Sequence, residues 1–404
     1  MTNPWVCVQP LDAGQFARMK RRAIFDCYKW DPQVGDVCVI ARHPLVITRE
    51  AWAEVTRLAE ALAVETLAAE AELVTRPDLH GALGLPFSVR HALRDAAKVG
   101  ATRGAARLIR FDFHFTSDGW RISEANCDVP GGLNEASGFP ALIAEHYSWA
   151  APVGDPGTAY VRALAAHVGP NGTTAFVHAT AYSDDQQMML FVARKLEAEG
   201  IRTHLASPDH LRWNGDAASL SAAWWKGPLD LIVRFFPAEW MGGLPKASGW
   251  QRLFAGGATA VSNPGTAILA QSKRFPLIWD ALRTPLPTWR ALLPETRDAR
   301  NAPWAMSDEW VVKPALGRVG ESIGIRGVVD AKDMRQISRS VRWAPGAWVA
   351  QRRFDLLPIE VAGVRIFPCL GVYTLDTRVI GAYGRLAPVP LIDSRAADAA
   401  VLAA

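Results

Sequence analysis

Apolar and polar positions change their spacing several times along the chain, and each change marks an element. Residues 1–50 mix short apolar runs with turn signals at Asp31-Pro32, Gly35-Asp36 and His43-Pro44. From Thr48 the spacing becomes helical: Trp52, Val55, Leu58 and Leu62 recur three and four apart, and Ala- and Glu-rich sequence follows to about residue 74. Thr48 is placed to cap this helix, Glu50 lies in its first turn and Pro77 stops it. A shorter helix is predicted from 88 to about 99, ending at Gly100. Residues 108–116 then alternate strictly, with Ile109, Phe111, Phe113 and Phe115 on one face and Arg110, Asp112 and His114 on the other. Ser117, Asp118 and Gly119 predict a three-residue hairpin loop with Gly119 left-handed, and the return strand reaches Asn126.

Downstream, 131–151 is glycine-rich and then helical. A buried strand is predicted over 175–178, a polar loop over 182–185, a helix over 186–199 ending at Gly200, and a strand over 229–236. Strand, helix and strand at this pitch predict a βαβ-like middle domain. Asn263-Pro264-Gly265 turns the chain into a helix expected to carry Lys273 and Trp279. From Trp310 the chain is read as strand-rich, with apolar runs at 310–314, 347–351, 366–373 and 378–383.

The 404 residues imply two to three domains at about 150 residues each. Half are hydrophobic and 21% charged, enough for large cores. The formal charge of +4 comes without a Lys/Arg cluster and argues against nucleic acid. Five scattered cysteines form no C-x-x-C pair and read as reduced thiols. The first 15 residues lack the pattern of a signal peptide, and no run of 18 apolar residues predicts a membrane span. A soluble cytoplasmic protein is expected. Sixteen Trp against six Tyr is unusual, and several Trp are expected at a cleft or at domain seams.

The hairpin carries the first candidate chemistry. Pairing Thr116 with Trp120 sets His114 opposite Ile122, Asp112 opposite Glu124 and Arg110 opposite Asn126. Two carboxylates directly opposed repel unless something compensates. A divalent cation would do so, and Asp112, Glu124 and Asn126 offer only oxygen, which suits Mg²⁺ and argues against zinc. A solvated polar face, or a simple Arg110–Asp112 pair, would also account for the pattern. The second candidate is Trp310-Val-Val-Lys313-Pro-Ala-Leu-Gly317-Arg-Val-Gly320, a strand-borne lysine followed by turn glycines. It fits phosphate binding, or an ordinary hairpin, about equally. It is not a Walker A motif, because no G-x-x-x-x-G-K-[ST] occurs, nor a dinucleotide fingerprint, since a second strand from about Ser322 rather than a helix is expected after the glycines. Asp184 and Ser183 are equally suited to capping a helix or to touching a ligand.

Together these residues resemble the glutathionylspermidine synthase-like branch of the ATP-grasp superfamily, in which the grasp module is circularly permuted. Four stretches carry the resemblance: Arg110-x-Asp112 with Glu124-x-Asn126; Asn263-Pro264 with Ser272-Lys273; Val312-Lys313-Pro314-x-x-Gly317-Arg318-x-Gly320; and Gln351 with Gly371-Val372-Tyr373 and Gly381-x-x-x-Arg385. The resemblance implies an α+β fold: an N-terminal, mostly helical region over 1–105, a metal-binding hairpin over 106–150, a βαβ-like pre-ATP-grasp substrate domain over 151–262, and a nucleotide-binding region over 263–404. It implies an acid–amine ligase that uses ATP and Mg²⁺ and passes through an acyl phosphate. By position, Asp112, Glu124 and Asn126 would hold Mg²⁺. Arg110 and Arg385 would stabilise transition-state charge. Lys273, Lys313, Gly317 and Gly320 would meet the phosphates, and Gln351 the adenine. The expected partners are a small-molecule or peptide carboxylate and an amine, with neither nucleic acid nor membrane. A peptide- or natural-product-tailoring ligase and a non-catalytic ATP-binding relative are the alternatives. Family members that bind glutathione carry a small hydroxyl residue where this chain has Val129, which argues against glutathione. The N-terminal amidase domain of the bifunctional members is not expected in these 404 residues. Asp184 and Asp185 match a family position that receives an amine.

Overall fold

The computed structural model describes residues 3–99, 105–317, 320 and 322–404. Gly100, Arg318 and Glu321 lie outside them, so the predicted helix end at Gly100 and the arginine of the glycine stretch are not described. The N-terminal region carries α1 (Ala13–Asp26), α2 (Arg49–Val74) and α3 (Phe87–Val99). As its spacing predicts, α2 starts after Thr48, whose hydroxyl accepts from the Ala51 N–H. Its buried stripe of Val55, Ala59, Leu62 and Leu73 joins the same core as Ile109, Phe111, Phe113 and Phe115. Each fully buried Phe there contributes about 1.5–3 kcal/mol.

The hairpin strands are β1 (Leu108–Thr116) and β2 (Gly119–Asn126), and α4 (Leu133–Ile143) follows. Arg110 opposes Asn126 and Asp112 opposes Glu124, as expected. The upper half differs. Thr116 pairs with Gly119 rather than Trp120, and His114 faces Arg121 rather than Ile122. The loop is therefore one residue shorter than predicted, with Gly119 left-handed at φ +87°. A bulge at Ser123 inserts the missing residue and restores the predicted pairing below it. Without that bulge the short turn would set Asp112 against Ser123 and carry Glu124 to the other face.

The middle sheet contains β3 (Thr173–His178), β4 (Arg202–Ala206), β5 (Leu231–Phe235) and β6 (Ala260–Ser262), with α5 (Ser183–Ala198) between β3 and β4. All pairings are parallel and the spatial order is β6-β5-β3-β4. The expected strands near 175–178 and 229–236 and the helix after the first are present, but that helix returns into β4, a strand not expected from the sequence, so the βαβ unit is β3-α5-β4. Ser183, Asp184 and Asp185, expected in a loop, form the first turn of α5. The cap is Tyr182, which makes no side-chain cap bond.

Beyond β6 the predicted single helix is broken into short pieces, Gly265–Ala267, Ile268–Gln271 and Phe275–Ala281. Ser272 is extended between them and donates its hydroxyl to the Leu83 carbonyl, while Pro276 withholds a helical N–H. Lys273 sits in this break and Trp279 beyond it. A sheet of four short antiparallel strands includes β7 (Trp310–Pro314) and β8 (Trp348–Arg352). Between them a short strand at Gly324–Ile325 follows the glycines, as expected, and α6 (Ala331–Trp343) then corrects the expectation of strands alone. It buries only Ile337 and Val341, too sparse an apolar stripe to read from the sequence. Finally β9 (Val364–Leu375), β10 (Arg378–Ala387) and β11 (Ala397–Ala399) extend the hairpin into one antiparallel sheet, ordered β11-β10-β9-β1-β2. The molecule is thus a mixed α/β structure built on several sheets. Among the described residues no helix is long and apolar enough to cross a membrane.

Candidate functional site

A cavity of about 520 Å³ is lined by the hairpin, α4, α5, β7, β8 and the end of the chain. The hairpin supplies its charged wall. Arg110 grips Asp112 twice, Nε to Oδ1 at 2.7 Å and Nη2 to Oδ2 at 3.0 Å. Asn126 Nδ2 donates to the same Oδ2 at 3.1 Å. Arg110 Nη1 donates to the Gly131 carbonyl at 2.7 Å, and its guanidinium lies 5.7 Å from the centre of the Tyr383 ring. Gly371 stands opposite Asp112 on β9. A Cβ there would lie 2.8 Å from Arg110 Cδ, so a glycine is what lets Arg110 cross the strand. Asp112 and His114 are buried, which overturns the solvated-face reading. His114 Nε2 lies 3.1 Å from the Ser123 hydroxyl, and burial pushes this imidazole down to about 4.

Glu124 has its own cation. Its Oε2 lies 3.0 Å from Lys273 Nζ, which also donates to the Gly317 carbonyl at 3.2 Å. Burial works against the Glu124 charge, but Lys273 and then Lys313 hold its pKa at about 2. Lys313 donates to Gln351 Oε1 at 2.7 Å and to the Ser123 carbonyl at 3.2 Å. Burial lowers this ammonium to about 8, with Glu124 resisting the fall. Lys273 itself lines a small adjoining recess with Glu124, Lys313 and Gln351, not the main cavity. Gly317 and Gly320 line the main cavity. Gly320, at φ +70°, comes so close to the Ile392 carbonyl that a Cβ would sit 2.3 Å from it.

The predicted metal set can be tested on its chemistry. Among the described residues no group of three His, Cys, Asp or Glu could hold a metal. Asp112, Glu124 and Asn126 provide two carboxylates and one amide, all oxygen ligands, which fits Mg²⁺ whose remaining shell comes from phosphate and water. Each carboxylate already has a cation partner, so Mg²⁺ would share Asp112 with Arg110 and Glu124 with Lys273.

Another part of the cavity wall is acidic. Lys29 Nζ meets Glu135 at 2.8 Å, Asp398 at 2.9 Å and Asp31 at 3.3 Å. Burial opposes the Lys29 charge, but these three carboxylates raise its pKa well above the ordinary lysine range. Burial raises Glu135 and Asp31 despite Lys29. Tyr383 donates to Asp398 Oδ1 at 2.5 Å, which joins this cluster to Arg110 through the tyrosine ring. Asp184, Asp185 and Glu239 line the same cavity, with Asp185 buried.

Residues 36–396 match a family model described as glutathionylspermidine synthase preATP-grasp. The chain belongs to that family. No curated protein matches it. A glutathione synthetase-like effector from Globodera pallida, solved in its apo form, shares the fold at a TM-score of 0.65 and 11% identity, covering 98% of this chain and 99% of that one. A Methylobacillus flagellatus protein provisionally assigned as a gamma-glutamylcysteine synthetase aligns at 13% identity and a TM-score of 0.45, over 84% of this chain and 88% of that one.

Of the residues named from the sequence of this glutathionylspermidine synthase family member, Arg110, Asp112, Glu124, Asn126, Val129, Lys313, Gln351 and Arg385 line one cavity with Asp184, Asp185 and the two glycines. Arg385 Nη2 donates to the Asp393 carbonyl at 2.5 Å, beside the segment that Gly320 touches. Asn263 is not on the cavity wall. Its amide clamps the base of the hairpin, accepting from the Leu108 N–H and donating to the Leu108, Cys127 and Asp128 carbonyls. Among the described residues Trp240 is the tryptophan on the main cavity wall, and Trp289 lines the small adjoining recess. Trp5, Trp279, Trp289 and Trp310 are buried in the cores. Sequence reasoning missed Lys29, Asp31, Glu135 and Asp398. The first and last of them are 369 positions apart and the four share no spacing, so only the closing of the chain onto itself reveals them. The buried Asp128–Arg234 pair, at 2.5 Å, was missed for the same reason.

Proposed function

We propose that this protein is an ATP-dependent carboxylate–amine ligase with a circularly permuted ATP-grasp module, forming an amide through an acyl phosphate. The observation that carries this reading is the convergence of Arg110, Asp112, Glu124, Asn126, Lys313 and Gln351 on one cavity wall. In this reading a substrate carboxylate oxygen attacks the γ-phosphorus of ATP and ADP leaves. The amine nitrogen then attacks the acyl carbon, inorganic phosphate departs, and the amine loses a proton. Mg²⁺, held by Asp112, Glu124 and Asn126, would neutralise charge on the phosphate oxygens. Arg110 provides fixed positive charge where the phosphoryl group passes, and Asp112 and Gly131 keep its guanidinium aimed. Lys313 contributes a second charge, positioned by Gln351 and Ser123, with Lys273 behind Glu124. The reaction needs positioning and electrostatics rather than a nucleophilic side chain, and the wall supplies both.

The acidic side of the cavity, with Asp184, Asp185 and Glu239, favours a cationic amine as the second substrate. Val129 in place of a small hydroxyl residue favours an acid other than glutathione. An ADP-release screen over acids and amines, with mass spectrometry of the products, tests the reading. ADP and phosphate release that needs both an acid and an amine, together with a new amide, is the expected result. ATP binding with no turnover across the whole panel would favour a non-catalytic relative.

A further inference from the structure

A second pocket, of about 300 Å³, opens outside the main cavity. Its walls come from residues 179–182, which follow β3, from Ser207 just after β4, and from Phe236 and Trp240, which follow β5. It therefore lies off the carboxyl ends of three parallel strands. The spatial order β6-β5-β3-β4 makes the boundary between β3 and β5 the switch point of this sheet, because the chain moves outward from it in both directions. Ligands of open parallel sheets bind in the crevice at such a point.

The pocket is aromatic on two sides. Tyr182 and Trp240 lie with ring centres 5.6 Å apart and planes tilted by 34°. Phe236 meets Trp240 edge-on at 6.1 Å. Tyr182 and Trp240 also line the main cavity, so the pair forms the partition between the two spaces. Both rings keep much of their surface exposed, 51% for Tyr182 and 36% for Trp240. Thr180 and Ser207 put hydroxyl-bearing residues on the wall. Asp184, Asp185 and Glu239 stand within two or three residues of the partition, on the main-cavity side.

We propose that this outer pocket is a second substrate subsite, which takes a flat aromatic or heteroaromatic group carried on the amine substrate. The ring would stack on Trp240 and Tyr182 while the ammonium lies against the carboxylates beyond them. Aromatic faces reward a planar partner over an aliphatic chain of equal area. Continuity through the shared partition ties the occupant to the ligand of the main cavity. The proposal rests on the ligase reading for its choice of an amine, but binding alone tests it.

The test titrates the full chain, without ATP, with a 2-arylethylamine and with a straight-chain alkylamine of similar length, by calorimetry and by tryptophan fluorescence. The arylethylamine should bind at least tenfold more tightly and quench fluorescence. Trp240→Ala and Tyr182→Ala should each reduce that preference to threefold or less, while Trp343→Ala, at an exposed site on α6, should leave it intact. Equal affinity for the two amines, or a preference that survives both partition variants, overturns the subsite. Unchanged circular dichroism and thermal midpoint in Tyr182→Ala separate loss of the subsite from loss of the fold. ADP release with alkylamines at least as fast as with arylethylamines would overturn the subsite and leave the ligase reading standing. Preferential arylethylamine binding with no ADP release across the whole panel of acids and amines would uphold the subsite and favour a non-catalytic relative over the ligase reading.

Discussion

Lys313 is buried and Glu124 half-buried at the cavity wall, and their pKa values move in ways that set different pH limits. Lys313, lowered to about 8 from 10.5, loses its proton within the range where enzymes are assayed. A phosphate needs the protonated form. The kcat/KM for ATP should therefore fall about tenfold per pH unit above pH 8, and that limb should vanish in Lys313→Met; pH-rate profiles of the two proteins check it. Between pH 8 and 10.5 the unfolded chain holds this proton more tightly than the folded one, so Lys313 makes folding more favourable as pH rises through that window. Glu124 has the opposite origin. Its pKa, held at about 2 against an ordinary 4.5, contributes stability that is complete above 4.5 and lost as pH falls through about 2. Asp112→Asn and Glu124→Gln should each abolish Mg·ATP-dependent turnover while circular dichroism stays unchanged. Near-normal phosphate release by either variant would remove the metal assignment.

At the scale of elements, the hairpin shows how far sequence reasoning reaches. The alternation of Ile109, Phe111, Phe113 and Phe115 against Arg110 and Asp112 sufficed to predict the strand, but not that its polar face is buried as well, against the cavity. The pairing of Asp112 with Glu124 was also legible, although the expected loop was one residue too long. The bulge at Ser123 offset that residue, and nothing in the local sequence announces it, because a serine fits a regular strand or a bulge equally well. The break at Ser272 was hidden for a related reason: it depends on a bond to Leu83, almost two hundred positions away. Gly371 was noted only through the family resemblance, and its physical role is clear only once β9 lies beside β1. Gly371→Ala would push a methyl group to 2.8 Å from Arg110 Cδ. Turnover should fall about 100-fold, as expected for an ångström-scale displacement of a positioning group. The denaturant midpoint should change little, and a proportionate loss of stability would contradict the argument.

For the molecule as a whole, the decisive feature is that distant parts of the chain close on one cavity. Lys29 from the N-terminal region, Glu135 from α4 and Asp398 from β11 meet in one buried cluster. Lys29→Met would leave carboxylates facing each other and should destabilise the fold by about 3–5 kcal/mol, a loss that shrinks as pH falls and they take up protons; urea unfolding at two pH values measures it. The same closure brings the acidic side, the Arg110 network and Lys313 around a single space, which is the basis for proposing ligation rather than nucleotide binding alone. The most direct test uses an acid found in the ADP-release screen and labelled with ¹⁸O in its carboxylate, incubated with ATP, the matching amine and the protein. Transfer of a carboxylate oxygen to the γ-phosphate predicts one ¹⁸O in the released inorganic phosphate for each amide formed. Amide formation or ADP release with unlabelled phosphate would contradict the acyl-phosphate ligase.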